Sequence, residues 1–370
     1  MSRCIFLLWA GLGFVFSHCA QKQNVNAQPT RFEIKRGTNI GHWLSQNDHA
    51  GAARSAFFKE KDVADIASLG FDHVRLPVDE VQLWDEAGRP EREAFALLHN
   101  ALAWCRKHEL RVIVDLHVLR AHHFNEGDQR LWREPAAQAR FAQCWRELSA
   151  ELKKYPVSWV AYELLNEPVA DDPEDWNRLA EKTIGVIRER EPGRVVVVGP
   201  NPRQSAEQFN TLRLPAGDKN ILLSFHYYAP FVLTHYQAGW TETGGYQGPV
   251  HYPGPTVTGE ELAAADPQVA ALLNKYDATR DFNAERMEKD LLDPLRFARR
   301  YGLGLYCGEW GTLATVPADD RLRWYRDVRN VLEKNNIAWA HWDYKSTGFG
   351  IAGGPGEKDQ TALLQVLTGE

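Results

Sequence analysis

Eight short runs rich in apolar and β-branched residues alternate with longer amphipathic segments, and that alternation constrains the fold more than any other feature. The runs are residues 37–44, 72–78, 111–117, 159–167, 194–199, 220–228, 304–309 and 337–344. Between them lie helical patterns at 59–69, 91–107, 135–154, 173–190, 204–212, 285–301 and 319–334, with 360–367 as a short closing helix. Strand–helix alternation without a second compositional zone implies a parallel sheet. Eight units in roughly 340 residues predict an α/β chain folded as one (β/α)8 TIM barrel. A doubly wound open sheet is the alternative, but no Gly-rich phosphate loop follows the first strand.

One connection exceeds the usual length. Residues 229–284, between the sixth strand and its helix, form an insertion rich in Gly and Pro up to Pro255 and helical around 259–274. Long loops in a compact domain are usually functional or disordered, and this one belongs to the face where barrel active sites lie. It carries Trp240, Tyr246, Tyr252 and Tyr276, and the first three fit loop packing and a sugar platform equally well.

Residues 1–27 read as a signal peptide ahead of a catalytic domain at 28–370. Arg3 supplies a positive start, residues 5–16 are apolar but too few to span a bilayer, and Val25-Asn26-Ala27 offers a cleavage site before Gln28. Ala20 is a nearer cleavage point. Cys19 offers a lipid anchor instead, although His18 fits poorly beside it. The expected location is secreted, periplasmic or outer-surface, with no transmembrane span. Beyond this segment Cys105, Cys144 and Cys307 remain. An odd number without close spacing is neither a disulfide framework nor a zinc site.

The formal net charge of -6 and the absence of a basic stretch exclude nucleic acid as the expected partner. Thirteen tryptophans are many for such a chain; many are expected in the core, but exposed indoles also suit the C–H faces of sugars.

Polar residues gather at one end of the strands. They are His42 and Trp43 on the first, Arg75 on the second, His117 on the third, and Asn166 and Glu167 on the fourth. His226 and Tyr228 end the sixth, Glu309 the seventh, and Trp342 lies near the end of the eighth. In a barrel these would share one mouth. Two strand-end carboxylates far apart in sequence, Glu167 and Glu309, are what glycoside hydrolysis asks for. Arg75 is suited to hold Glu309 ionised, Tyr228 to donate to it, and Asn166 to bind a sugar 2-hydroxyl. His117 and His226 are suited to bind hydroxyls or orient the acid, and Trp342 to floor the sugar. No metal or organic cofactor is needed.

With Leu165-Asn166-Glu167-Pro168 and Gly308-Glu309-Trp310-Gly311, the set resembles glycoside hydrolase family five, the cellulase-type retaining barrels. Arg75, His117, the His226-Tyr227-Tyr228 run and Trp342 match other active-site positions of that family. The resemblance spans nearly the whole mature chain, from Arg36-Gly37-Thr38-Asn39 through Trp342. It implies that Glu167 is the general acid/base and Glu309 the nucleophile of a double displacement on a β-linked polysaccharide or oligosaccharide. Gly41-His42-Trp43-Leu44 resembles the glucanase form, which implies β-glucan rather than mannan as substrate. An endo-β-glucanase is the expected activity, with endo or exo action depending on whether the 229–284 loop blocks one end of the cleft. Exo-β-1,3-glucanase and β-mannanase activities are alternatives on the same scaffold, since loops set the substrate. Two further classes are open. A non-catalytic carbohydrate-binding barrel would have lost a glutamate, and both are present. A metal-dependent hydrolase would use Asp115, His117, His122, His123 and His226, but the first strand lacks the His-x-His such sites often use, and His122-His123 reads as a solvated loop rather than a metal pair.

Overall fold

The structure is a computed structural model that describes residues 31–346, 348–352 and 357–369. The signal-peptide and Cys19 expectations fall outside the described residues. Eight parallel strands close into a barrel, and each expected run supplies one. They are β1 (Arg36–Asn39), β2 (His73–Val78), β3 (Arg111–Leu116), β4 (Val160–Glu163), β5 (Val196–Val198), β6 (Ile221–Tyr227), β7 (Gly304–Trp310) and β8 (Ala338–His341). Strand β1 pairs with both β2 and β8, which closes the ring. Inside the ring Ile113, Ala161, Val197, Tyr306 and Ala340 pack as a fully buried cluster. Filling the barrel with side chains makes it a core rather than a pore.

The outer helices follow from spacing and caps. Helix Pro173–Arg188 begins at Asp172, whose carboxylate accepts the Glu174 N–H, with Pro173 in its first turn and Arg188 in its last. That arrangement fits the helix dipole at both ends. Trp176, Leu179, Ala180, Ile184 and Ile187 recur on its buried face, and burying each large one contributes ~1.5–3 kcal/mol. The Trp176 indole N–H also donates to the Gly199 carbonyl at 2.9 Å, pinning the helix to the loop after β5.

Several expected elements differ for local reasons. Strand β1 stops at Asn39 because His42 takes a left-handed φ of 57°; Leu44 then bridges Val78 alone. The expected helix at 204–212 is a 3-10 turn, Ala206–Thr211. Residues 285–301 form two helices, Ala284–Asp290 and Leu292–Tyr301. Pro294 cannot donate back to Asp290, so the helix breaks. Trp43 is not in the mouth: it is fully buried, its indole bonded to the Arg54 carbonyl at 2.8 Å. Seven of the thirteen tryptophans are fully buried (43, 84, 145, 176, 310, 324 and 339), so the tryptophan richness is mainly core.

The insertion is ordered. It contains helix Phe231–Thr234, a 3-10 turn at Glu242–Gly245, and helices Gly259–Ala264 and Pro267–Lys275. Gly254–Pro255 pairs antiparallel with Asp281–Phe282 where the chain leaves and returns. Helix Ala318–Lys334 anchors it: the Tyr252 hydroxyl donates to Asp327 Oδ2 at 2.7 Å, and the Trp324 indole donates to the Ala229 carbonyl at 2.9 Å. Tyr246 and Tyr252 are therefore packing residues, whereas Trp240 is 65% exposed. Among the described residues no helix is long and apolar enough to cross a membrane.

Candidate active site

The register of the barrel selects which carboxylates face inward. On β2, β3 and β4, Arg75 pairs with Ile113, Ile113 with Ala161, and Asp115 with Glu163. Alternation therefore lifts Asp115 and Glu163 one step above the buried apolar layer, toward the carboxyl end. On β7 plain alternation from the inward Tyr306 would turn Glu309 outward. A bulge prevents that: Phe225 pairs with Cys307 but His226 with Glu309, leaving Gly308 as the extra residue. A Cβ at Gly308 would lie 2.9 Å from Ser224 Oγ, so glycine suits the crowded spot.

Arg75 is the centre of the polar layer. Its guanidinium donates to both oxygens of Glu163 (2.7 and 3.1 Å), to Asn39 Oδ1 (3.0 Å), to Asn166 Oδ1 (2.9 Å) and to Glu309 Oε1 (2.6 Å). Asp115 Oδ2 lies 3.0 Å from it. Arg75 is fully buried, and although burial opposes its charge, Asp115, Glu163 and Glu309 hold it protonated. Glu309 Oε2 accepts from the Tyr228 hydroxyl at 2.9 Å. Asn166 gives its oxygen to Arg75, which leaves its amide N–H groups for a ligand.

Glu167 sits beyond the regular end of β4 with a left-handed φ of 42°, a conformation costing ~1–3 kcal/mol for a non-glycine residue. His226 Nδ1 is 2.9 Å from Glu167 Oε1 and 3.6 Å from Glu309 Oε2. Burial pushes His226 down to about 4, so the ring is neutral; Nε2 is buried without a partner, and a proton on Nδ1, donated to Glu167 Oε1, leaves no buried N–H unpaired. Burial pushes the Glu167 carboxyl up to about 7, against the opposing charges of Arg203 and Arg75. Arg203 Nη1 is 3.8 Å from Glu167 Oε2. An oxygen of Glu167, an oxygen of Glu309 and a ring nitrogen of His226 all lie within 4.8 Å of one another.

His117 is also neutral, its pKa driven well below the ordinary value by burial and by Arg75. Its Nδ1–H donates to Asp115 Oδ2 at 2.6 Å, so Nε2 accepts from the Gln46 amide at 2.7 Å. Burial also raises Asp115 to about 7. The His117 ring lies parallel to the Trp342 indole, with centroids 5.7 Å apart. Trp342 is 7% exposed and packs on Ala238, Leu313 and Phe349. His42 meets it edge-on at 6.1 Å.

Arg75, His117, Asn166, Glu167, His226, Tyr228, Glu309 and Trp342 are thus brought to one mouth. The histidine set weighed for a metal is not gathered. His122, expected in a solvated loop, is 1% exposed against the edge of Trp132, and His123 stacks on Phe124. Among the described residues the metal-capable trio is Glu167, His226 and Glu309. The Arg75 guanidinium already occupies Glu309 Oε1 and sets a fixed positive charge next to the trio, which disfavours a dication there. Sequence reasoning missed Asn39, Gln46, Glu163 and Gln204. For Glu163 a signal existed: strand alternation puts it on the inward face beside Arg75.

Comparisons with known proteins agree with this geometry. Residues 35–348 match the model of the cellulase family, glycosyl hydrolase family 5. The chain is 33% identical over 325 residues to endoglucanase C of Acetivibrio thermocellus, covering 86% of this chain and 93% of the relative. It is 29% identical over 309 residues to cellodextrinase A of Ruminococcus flavefaciens, covering 82% and 84%. The crystal structure of the cellulose synthase subunit Z (CcsZ) of Clostridioides difficile superposes with a TM-score of 0.71 at 26% identity. That match covers 90% of this chain and 99% of that one. A closed parallel barrel, a paired glutamate mouth and this match over most of the chain lead to one conclusion: the protein is a glycoside hydrolase and belongs to the cellulase family, glycosyl hydrolase family 5.

Proposed function

We propose that the chain is a retaining endo-β-glucanase acting by double displacement, with Glu309 as nucleophile and Glu167 as acid/base. The observation that carries this is the separation of Glu167 and Glu309, whose nearest side-chain oxygens fall within 4.8 Å. Retaining enzymes hold their carboxyls ~5 Å apart, and inverting ones leave room for a water between them. The two environments also divide the labour. Glu309 accepts from a guanidinium at 2.6 Å and a phenol at 2.9 Å, partners that favour an anion. Glu167, pushed to about 7, keeps a proton near neutrality, as a general acid requires.

In the first step Glu309 attacks the anomeric carbon while Glu167 gives its proton to the departing glycosidic oxygen. His226 already donates to Glu167 Oε1, so Oε2 is the oxygen that carries the proton. The Asn166 amide donates to the sugar 2-hydroxyl, a contact that strengthens as positive charge grows on the ring. Trp342 floors that sugar. In the second step the Glu167 carboxylate removes a proton from water, which displaces Glu309 and releases product with the original anomeric configuration.

The choice of β-glucan over mannan rests on Gly41-His42-Trp43-Leu44 and on the endoglucanase relatives. The amino-terminal pattern supports export, with a signal peptide at 1–27 or a lipid on Cys19, and so a secreted, periplasmic or outer-surface enzyme. Amino-terminal sequencing of the mature protein tests that. The deciding experiment is NMR of the first product from a panel of β-glucan and β-mannan oligosaccharides. A β-anomer from glucan supports the reading; an α-anomer overturns the double displacement, and cleavage of mannan alone overturns the substrate.

A further inference from the structure

The loop after β5 sets the Arg203 charge near Glu167, and it is also tied to the acid/base segment by four hydrogen bonds. The Arg203 N–H donates to the Pro168 carbonyl (2.9 Å), and Asn201 exchanges two bonds with the Ala170 main chain (2.7 and 3.0 Å). In the fourth, the Glu167 N–H donates to Gln204 Oε1 at 3.0 Å. Gln204 is fully buried, and its φ of 50° is left-handed like that of Glu167. Two residues in that region face each other through one hydrogen bond, and neither conformation persists without surrounding structure to hold it.

The other end of the same amide turns to the nucleophile's support. Gln204 Nε2 donates to Glu163 Oε1 at 2.9 Å, and Glu163 grips Arg75, which donates to Glu309. The Gln204 carbonyl accepts the main-chain N–H of His226 at 3.0 Å, and His226 in turn donates to Glu167. One residue thus touches the main chain of the acid/base, the main chain of its histidine partner and the carboxylate that fixes the nucleophile's guanidinium. The room for it comes from Gly199, where a Cβ would lie 2.6 Å from Gln204 Cγ.

We propose that Gln204 is a positioning residue that sets the acid/base in register with the nucleophile, a role resting on the assignment of Glu167 and Glu309. It binds the acid/base directly and the nucleophile through two intermediates, so its removal falls harder on proton donation than on attack. The test is Gln204→Met, which keeps the length and removes both side-chain hydrogen bonds. It is assayed on a β-glucan oligosaccharide, whose leaving group needs the acid, and on a dinitrophenyl β-cellobioside, whose leaving group does not. Active sites are counted by trapping the glycosyl-enzyme with a 2-deoxy-2-fluoro substrate.

Misplacing a reacting group by about an ångström costs ~100-fold. The expected result is therefore a kcat/KM per active site, which reads the first step alone, lowered ~10- to 100-fold on the oligosaccharide and markedly less on the aryl glycoside. Equal losses on both, or none, overturn the proposal. Gln204→Glu is the second variant, and it decides alone if Gln204→Met does not fold. Its carboxyl accepts the Glu167 N–H at any pH but donates to Glu163 only when protonated, so activity on the oligosaccharide should recover relative to wild type as pH is lowered. A constant ratio to wild type across pH overturns the proposal. The assignment itself fails separately: Glu309→Ala retaining activity refutes it whatever Gln204 does.

Discussion

Replacing Arg75 with lysine keeps the buried positive charge and removes the fork that distributes it. The arginine spends all five of its N–H groups on five acceptors: two oxygens of Glu163, Asn39, Asn166 and Glu309. A lysine ammonium has three N–H groups, so at least two buried acceptors lose their donor. Hydrogen bonds to charged groups contribute ~1.5–3 kcal/mol each, which puts the loss for Arg75→Lys at ~3–6 kcal/mol. That is a large part of the ~5–15 kcal/mol that holds a typical protein folded. The carboxylates left short of donors recover part of it by taking up protons. Asp115 already sits at about 7, and where Glu309 is one of the acceptors left short it loses the 2.6 Å guanidinium contact that suits it to attack. Urea unfolding at pH 7 reads the stability, and kcat/KM on a glucan oligosaccharide reads the nucleophile, with a ~10- to 100-fold fall expected for each ~1.5–3 kcal/mol withdrawn from the transition state. A variant that unfolds within 1 kcal/mol of wild type, judged by the ~1 kcal/mol scatter of ordinary substitutions, and keeps full kcat/KM would refute the view that this guanidinium both holds the mouth together and charges Glu309.

Further outcomes follow from the same geometry. Tyr228→Phe deletes the 2.9 Å donor to Glu309 Oε2; kcat/KM should fall ~10- to 100-fold with an unchanged circular dichroism spectrum. The alkaline limb of kcat/KM against pH should lie near 7, where Glu167 loses its proton. Arg203 opposes that proton, so Arg203→Ala should move the limb upward, measured as a pH profile at constant ionic strength; a downward move contradicts the assignment. For stability the sign runs the other way. Folded Glu167 holds its proton to about 7 against an ordinary 4.5, so its contribution is intact below 4.5 and is lost as pH rises to 7. Glu167→Gln cannot ionise and keeps an oxygen for His226, so it should be ~3 kcal/mol more stable than wild type above pH 7 and equal to it near pH 4, by denaturant titration at both pH values.

The barrel was legible because both of its periods are strong: every apolar run became a strand, and most helices ended within a residue or two of the pattern. Boundaries failed where a left-handed residue intervened. His42 ends β1 early, and the chain bends at Asn166 and Glu167, beyond the end of β4 at Glu163. Neither residue type announces φ above zero, since that conformation is imposed by tertiary contacts. The mouth was legible where a residue type is costly to bury without purpose, as with Arg75, Glu309 and His226. Gln204 was invisible, because an amide in a polar loop looks the same whether it faces solvent or bridges two buried partners. Local pattern also misled over Trp43 and over His122. Indoles fill the space between helix and strand as readily as they bind sugar, and a His-His pair in a loop does not reveal that the loop folds inward over Trp132.

The antiparallel pair Gly254–Pro255 and Asp281–Phe282 has a meaning for how such an enzyme changes over time. Its two strands lie side by side, ~4.8 Å apart as neighbouring strands do, and Val257 N–H bonds the Ala278 carbonyl just beyond them. Residues 256–280 are therefore a cassette with adjacent ends, open to replacement by a graft that refills the core places of Val257, Leu273 and Ala278. The cassette is not inert: Tyr276 stacks on Phe231, Phe231 on His235, and His235 meets Tyr228, the donor to Glu309. New specificities can be tried by transplanting that lobe while the barrel, and the eight strands that took the longest-range contacts to assemble, stay untouched.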